Sequence, residues 1–196
     1  MSDAFVLASK TGDAEFAVLG EETAFGQTVS CFLSMFDALI FASRLSRQDT
    51  RTYQLRRVSE LEPFFFLHDT SQAPLGLHLA WPAKNRSLLL RSDGLLCDVE
   101  WIQGPQPRST SSGVEFDANA LAFVDLLRER AGLFAWRETD KAVSGWDIRR
   151  VKPEVDQALA TMPVMFLPNS DEYTQFALYD PEFEQWHFVP RALGDG

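Results

Sequence analysis

The chain has 196 residues, a formal net charge of −10 and a pI near 4.7. Hydrophobic residues make up 45% and aromatics 12%, with 16 Phe and 5 Trp, which excludes a largely disordered chain and leaves enough apolar surface for a core. The acidic balance argues against a generic nucleic-acid binder, because phosphate contacts need a Lys/Arg surplus.

In chain order, the apolar runs Phe5 to Ala8 and Ala14 to Leu19, the second with Phe16 and Val18 on one face, flank a turn at 9–13 and predict an opening hairpin. Thr28 to Leu33 predicts a third strand. Ser34 with Asp37 three residues later forms a capping box, so a helix is expected from there to about Ser46, with Phe36, Leu39, Ile40 and Leu45 on its apolar stripe. Strands are then expected at Tyr53 to Val58, Phe64 to Leu67 and Leu75 to Trp81. Ser87 to Arg91 and Leu95 to Trp101 flank Ser92-Asp93-Gly94, a hairpin loop with glycine at the left-handed position.

Between Gln103 and Gly113 the run is rich in Gly, Pro and hydroxyl residues, which marks a linker or mobile loop. It suggests an N-terminal half, 1–102, and a C-terminal half, 114–196, or one domain of 1–196. A second helix is predicted with Asp117 as N-cap, ending at Gly132. A shorter third helix is placed from Pro153 to before Met162-Pro163. Strands at Val164 to Leu167, Tyr173 to Tyr179 and Glu184 to Val189 close the chain. Shifting the chain onto itself lays Leu7 on Leu167, Phe16 on Phe176 and Ala17 on Ala177, a weak echo of one terminal hairpin in the other. The fold class that follows is α+β, mainly antiparallel sheet with two longer helices and one short one.

Catalytic and metal patterns are sparse. His68, His78 and His187 have no partner at helical i+4 spacing, and neither Cys31 nor Cys97 belongs to a C-x-x-C, so no metal or cofactor is expected. The two cysteines sit in apolar runs and read as buried reduced thiols. Asp98 and Glu100, two apart in a strand, share a face that reads as solvent-facing, with a carboxylate dyad as the rival. Arg44, Arg47, Arg51, Arg56 and Arg57, opposed by Asp49, read as a solvated helix end and strand face. A basic-plus-apolar leader and a run of about 18 apolar residues are both lacking, which predicts a cytoplasmic protein without membrane contact.

The last quarter carries the functional signal. Acids and aromatics alternate there against a single base, Arg191, after residue 152. Carboxylates attract a basic partner over a Debye length, and rings supply contact area. Phe176 and Leu178 are expected to point inward, and Tyr173 and Tyr179 outward with the turn acids. The candidate partner-binding set is Asp171, Glu172, Tyr173, Tyr179, Asp180, Glu182, Glu184 and Trp186.

A small, acidic, Trp- and Phe-rich α+β chain without a catalytic motif resembles, in overall character, the immunity proteins that protect bacteria from polymorphic or type VI secreted toxins. That resemblance implies stoichiometric occlusion: a non-enzymatic inhibitor, monomeric or dimeric when free, that docks an acidic face on the active site of a cognate basic toxin and makes no direct nucleic-acid contact. The alternative is a structural or adaptor subunit of a larger bacterial assembly. A third reading is an enzyme built on Asp98, Glu100 and a histidine.

Overall fold

The computed structural model describes residues 4–11, 15–48, 51–61, 67–68, 71–104, 114–166 and 172–191. The expected strand residues 64–66, most of the loop at 103–113 and Asp171 lie outside them. The architecture is α+β, with strands mostly in antiparallel pairs. Two compact units divide it, each discontinuous in sequence: 1–78 with 100–121, and 79–99 with 122–196.

In the first unit, β1 (Phe5–Thr11) pairs β2 (Glu15–Val18) as an antiparallel hairpin, and β3 (Gly20–Thr23) pairs β4 (Gly26–Phe32). Helix α1 (Met35–Leu45) starts where the capping box placed it: Ser34 Oγ accepts the N–H of Phe36 at 3.2 Å and of Asp37 at 3.5 Å. β5 (Tyr53–Arg57) and β4 both run antiparallel to β1 from opposite sides, so α1 links two strands that are parallel to each other across it. Phe41 of α1 meets Phe32 of β4 with ring centroids 5.7 Å apart, fixing the covered face. A turn at Val58–Glu60 and the short pair β6 (Leu67–His68) and β7 (Ser71–Gln72) follow. β8 (Leu75–Lys84) joins β4 in parallel through its first residues, Leu75 to His78. β10 (Val99–Gln103) pairs β8 as well. The Gln103 amide clamps both sides of the central loop, donating to Glu115 O and accepting from Asp117 N, each at 2.7 Å.

In the second unit, β8 turns back into β9 (Ser87–Leu90) through Asn85-Arg86, both at positive φ, a two-residue hairpin whose turn lacks the usual glycine signal. That ladder ends at Ala83↔Leu88, since Pro82 has no N–H to continue it, and Leu89 O accepts the Cys97 N–H at 2.9 Å instead. The Gly94 turn forms as expected, with φ +81° and the Gly94 N–H on Arg91 O, but the hairpin expected around it reduces to one bridge, Leu90↔Leu96, and β10 pairs β8 instead. Helix α2 (Ala118–Arg130) carries the expected Asp117 cap and ends at Gly132, φ +81°.

Two helical features depart from expectation. α3 (Trp136–Val143) was not predicted, and α4 (Ile148–Thr161) begins five residues before Pro153. Asp147 caps α4, its Oδ1 accepting the Arg149 N–H, and Pro153 removes one backbone donor without ending the helix.

β11 (Val164–Phe166) lies parallel to β9. β12 (Gln175–Asp180) pairs β8 on one side and β13 (Gln185–Pro190) on the other. The strand order in this unit is β13-β12-β8-β9-β11. The C-terminal hairpin is therefore β12–β13, whereas the terminal echo had matched β1–β2 to β11–β12. Leu127 of α2 packs with Ala80, Phe176, Leu178 and Val189 on one face of this sheet. On the other face α4 receives Tyr179 and Trp186, whose polar tips bond Glu154 O at 3.4 Å and Ala158 O at 3.1 Å.

Candidate functional site

That two-sided cover changes the expected site. Strand alternation alone places Tyr179 outward, which assumes one wet face. With a helix on each face of β12, residues 176–180 are all buried, and Tyr179 is only 2% exposed. Desolvation, followed by the charges of Glu154, Glu184 and Asp180, raises its phenol pKa far above the ordinary value. Trp186 is likewise buried, its ring 5.2 Å from that of Tyr179.

Asp180 is buried too, at 4% exposure, and its role is local. One carboxylate oxygen accepts the backbone N–H of Glu182 at 2.9 Å and of Phe183 at 3.4 Å, closing the β12–β13 turn. The other lies 3.4 Å from His187 Nε2, an ion pair whenever that imidazole is protonated. A further acceptor, Tyr179 O, takes the guanidinium of Arg128 at 3.2 Å. Arg128 and Arg137 both lie over the Trp136 ring, and Asp125 ties Arg137 and the Trp136 indole N–H together. The Arg137 hydrogen bonds hold the Asp125 carboxyl below its ordinary pKa.

What this frame presents to solvent is Glu182, Phe183 and Glu184, all exposed, with Phe183 at 67%. Glu184 takes positive φ, and Glu182 Oε2 accepts from Thr139 of α3 at 3.2 Å. Glu154 of α4 belongs to the same acidic field. Burial first, and the charge of Glu184 second, raise its carboxyl pKa. Sequence spacing carried no sign of Glu154, since it arrives from a helix about thirty residues upstream.

Glu172 and Tyr173 sit at the opposite end of β12, about 17 Å away along a six-residue strand. Glu172 is exposed and pairs with Lys84 at 3.6 Å. Tyr173 is half-buried rather than outward, edge-on to Phe176 at 5.4 Å and covered by the Arg191 guanidinium at 4.1 Å. The eight candidates thus separate into core residues (Tyr179, Asp180, Trp186), one end (Glu172, Tyr173), the exposed turn (Glu182, Glu184) and Asp171 outside the described residues.

Elsewhere, Cys31 and Cys97 are free and buried, and desolvation raises both thiol pKa values. His78 is buried with its ring 5.3 Å from Phe32. Glu100 departs from the solvent-facing expectation: its carboxylate occupies the space over Gly76, where a Cβ would meet Oε2 at 2.7 Å. No group of three or more potential metal ligands occurs among the described residues, and none of their helices is long and apolar enough to cross a membrane. Comparison of the chain with protein-family models, with curated proteins and with solved structures returned no match.

Proposed function

We propose that this protein is an acidic, immunity-type inhibitor that binds a cognate basic toxin and occludes its active site. One observation carries the reading: the β12–β13 turn holds an exposed aromatic ring, Phe183, between two exposed carboxylates, Glu182 and Glu184, on a backbone stiffened by Asp180. A pre-ordered turn loses little conformational freedom on binding, and the ring supplies contact area. The acidic flanks and the net charge of −10 favour rapid encounter with a basic surface.

The test is co-purification with the product of the neighbouring gene, followed by the double substitution Glu182→Lys and Glu184→Lys. The expected outcome is a complex whose association slows by about tenfold or more at low salt. Absence of a complex, or one indifferent to both substitutions, overturns the proposal.

A structural or adaptor subunit is the second reading, supported by Val164 and Phe166, 40% and 67% exposed on the short outer strand β11. An obligate subunit of that kind aggregates when isolated, whereas a stoichiometric inhibitor runs as a defined species in size-exclusion chromatography.

A further inference from the structure

β13 is the longest outer strand of the second unit, and among the described residues it pairs only with β12. The direction of its free backbone groups follows from the ladder. Arg191 N–H bonds Thr174 O, and the register pairs Val189 with Phe176 and His187 with Leu178. Odd-numbered residues of β13 therefore face β12, and the N–H and C=O of Trp186 and Phe188 face the open edge. Pro190 has no N–H to offer there. From Gln185 to Pro190 no side chain carries a fixed charge, although charge is the usual guard of an open edge.

We infer that a second copy of this chain pairs antiparallel along β13, joining two such sheets about a two-fold axis at His187. An axis perpendicular to the sheet preserves its faces, so each residue meets one of the same parity, and the axis must pass through a residue rather than between two. Centred on His187, Trp186 of each copy faces Phe188 of the other, and every N–H and C=O of these residues is paired. Centred on Phe188, Trp186 would face Pro190, and its carbonyl would lack a donor.

In this register Glu184 of one copy stands opposite Pro190 of the other. Helix α4 reaches both β12 and β13, through Glu154 and Ala158. Lying over this strand pair, it would stand about 10 Å from its symmetry mate, an ordinary helix-packing distance. The inference does not depend on the inhibitor reading.

Sedimentation equilibrium of the full chain, alone, is the first test, with a concentration-dependent dimer as the expected result. Phe188→Pro deletes an outward N–H and leaves the β12 ladder intact; it is expected to weaken dimerisation by about tenfold or more. His187→Cys is expected to form an intermolecular disulfide under mild oxidation, because a two-fold non-hydrogen-bonded pair brings Cα atoms within about 4.5 Å. Phe188→Cys is not expected to do so. A monomer at all concentrations up to about 1 mM, including one that binds only an extended segment of another protein, overturns the inference. So does crosslinking through Phe188→Cys in place of His187→Cys, or a dimer that a folded Phe188→Pro leaves unchanged. Should Phe188→Pro fail to fold, the pair of cysteine variants decides the matter.

Discussion

Asp180 accepts the backbone N–H of Glu182 at 2.9 Å, so an acid expected to touch a partner instead builds the turn that presents one. Asp180→Ala is expected to destabilise the protein by about 1–2 kcal/mol, in the range of a lost side-chain-to-backbone cap. Asp180→Asn keeps an acceptor oxygen and is expected to recover most of that loss. Urea unfolding midpoints measure both, and equal stability of Asp180→Ala and the parent chain would refute the capping role.

Glu154 bears on stability through pH. Its folded carboxyl pKa is raised, so its contribution is fully present below the unfolded value of about 4.3 and is lost as pH rises through the folded one. Burial disfavours the charged form, and Glu184 repels it. Glu154→Gln is therefore expected to gain stability over the parent at pH 7 and to show no gain at about pH 3.5. Denaturation at the two pH values checks the sign, and a gain that grows on acidification would contradict it.

The Asp125 carboxyl behaves in the opposite sense. Its folded pKa is lowered, chiefly by hydrogen bonding to Arg137, so its contribution is present above the unfolded value of about 3.9 and is lost as pH falls through the folded one. Asp125→Ala also strands the Trp136 indole N–H. A loss of about 1 kcal/mol is expected at neutral pH, modest because the pair is partly exposed. Thermal unfolding at pH 7 and at about pH 3 should show the difference shrinking in acid.

Cys31 is fully buried and Cys97 nearly so, with thiols whose pKa values desolvation raises. Neither is expected to react with a thiol reagent in the native state, and both should react once denaturant is added. Rapid labelling of the native protein would contradict the burial of these side chains.

Local features were legible in the sequence because their causes are local. The Ser34 cap, the Asp117 start, the Gly132 end and the Gly94 turn each depend on groups within a few residues of one another, and each formed where predicted. Pro153 misled for a related reason. Proline suits a helix start, but the stronger signal was Asp147, whose side chain satisfies an otherwise orphaned N–H. Helix α3 carries only a thin sequence signal, the apolar Trp136 and Val143 seven residues apart and so on one side of a helix.

Alternation in β12 identified a strand and its inward Phe176 and Leu178, but it could not say that the other face was also covered. That depended on α4, whose backbone carbonyls at Glu154 and Ala158 receive the polar tips of Tyr179 and Trp186. A period-two pattern reports which side chains share a face, not what lies against it.

The sequence by itself determined the α+β class, the caps at Ser34, Asp117 and Gly132, the buried thiols and an acidic, aromatic C-terminal segment. These follow from composition and from interactions within a turn or two of chain. Only the tertiary structure decided that β11 pairs with β9, that Glu100 fills the space over Gly76, and that Tyr179, Asp180 and Trp186 belong to the core while Glu182, Phe183 and Glu184 meet solvent. The physical reason is that strand partners and burial are set by packing between segments distant in sequence.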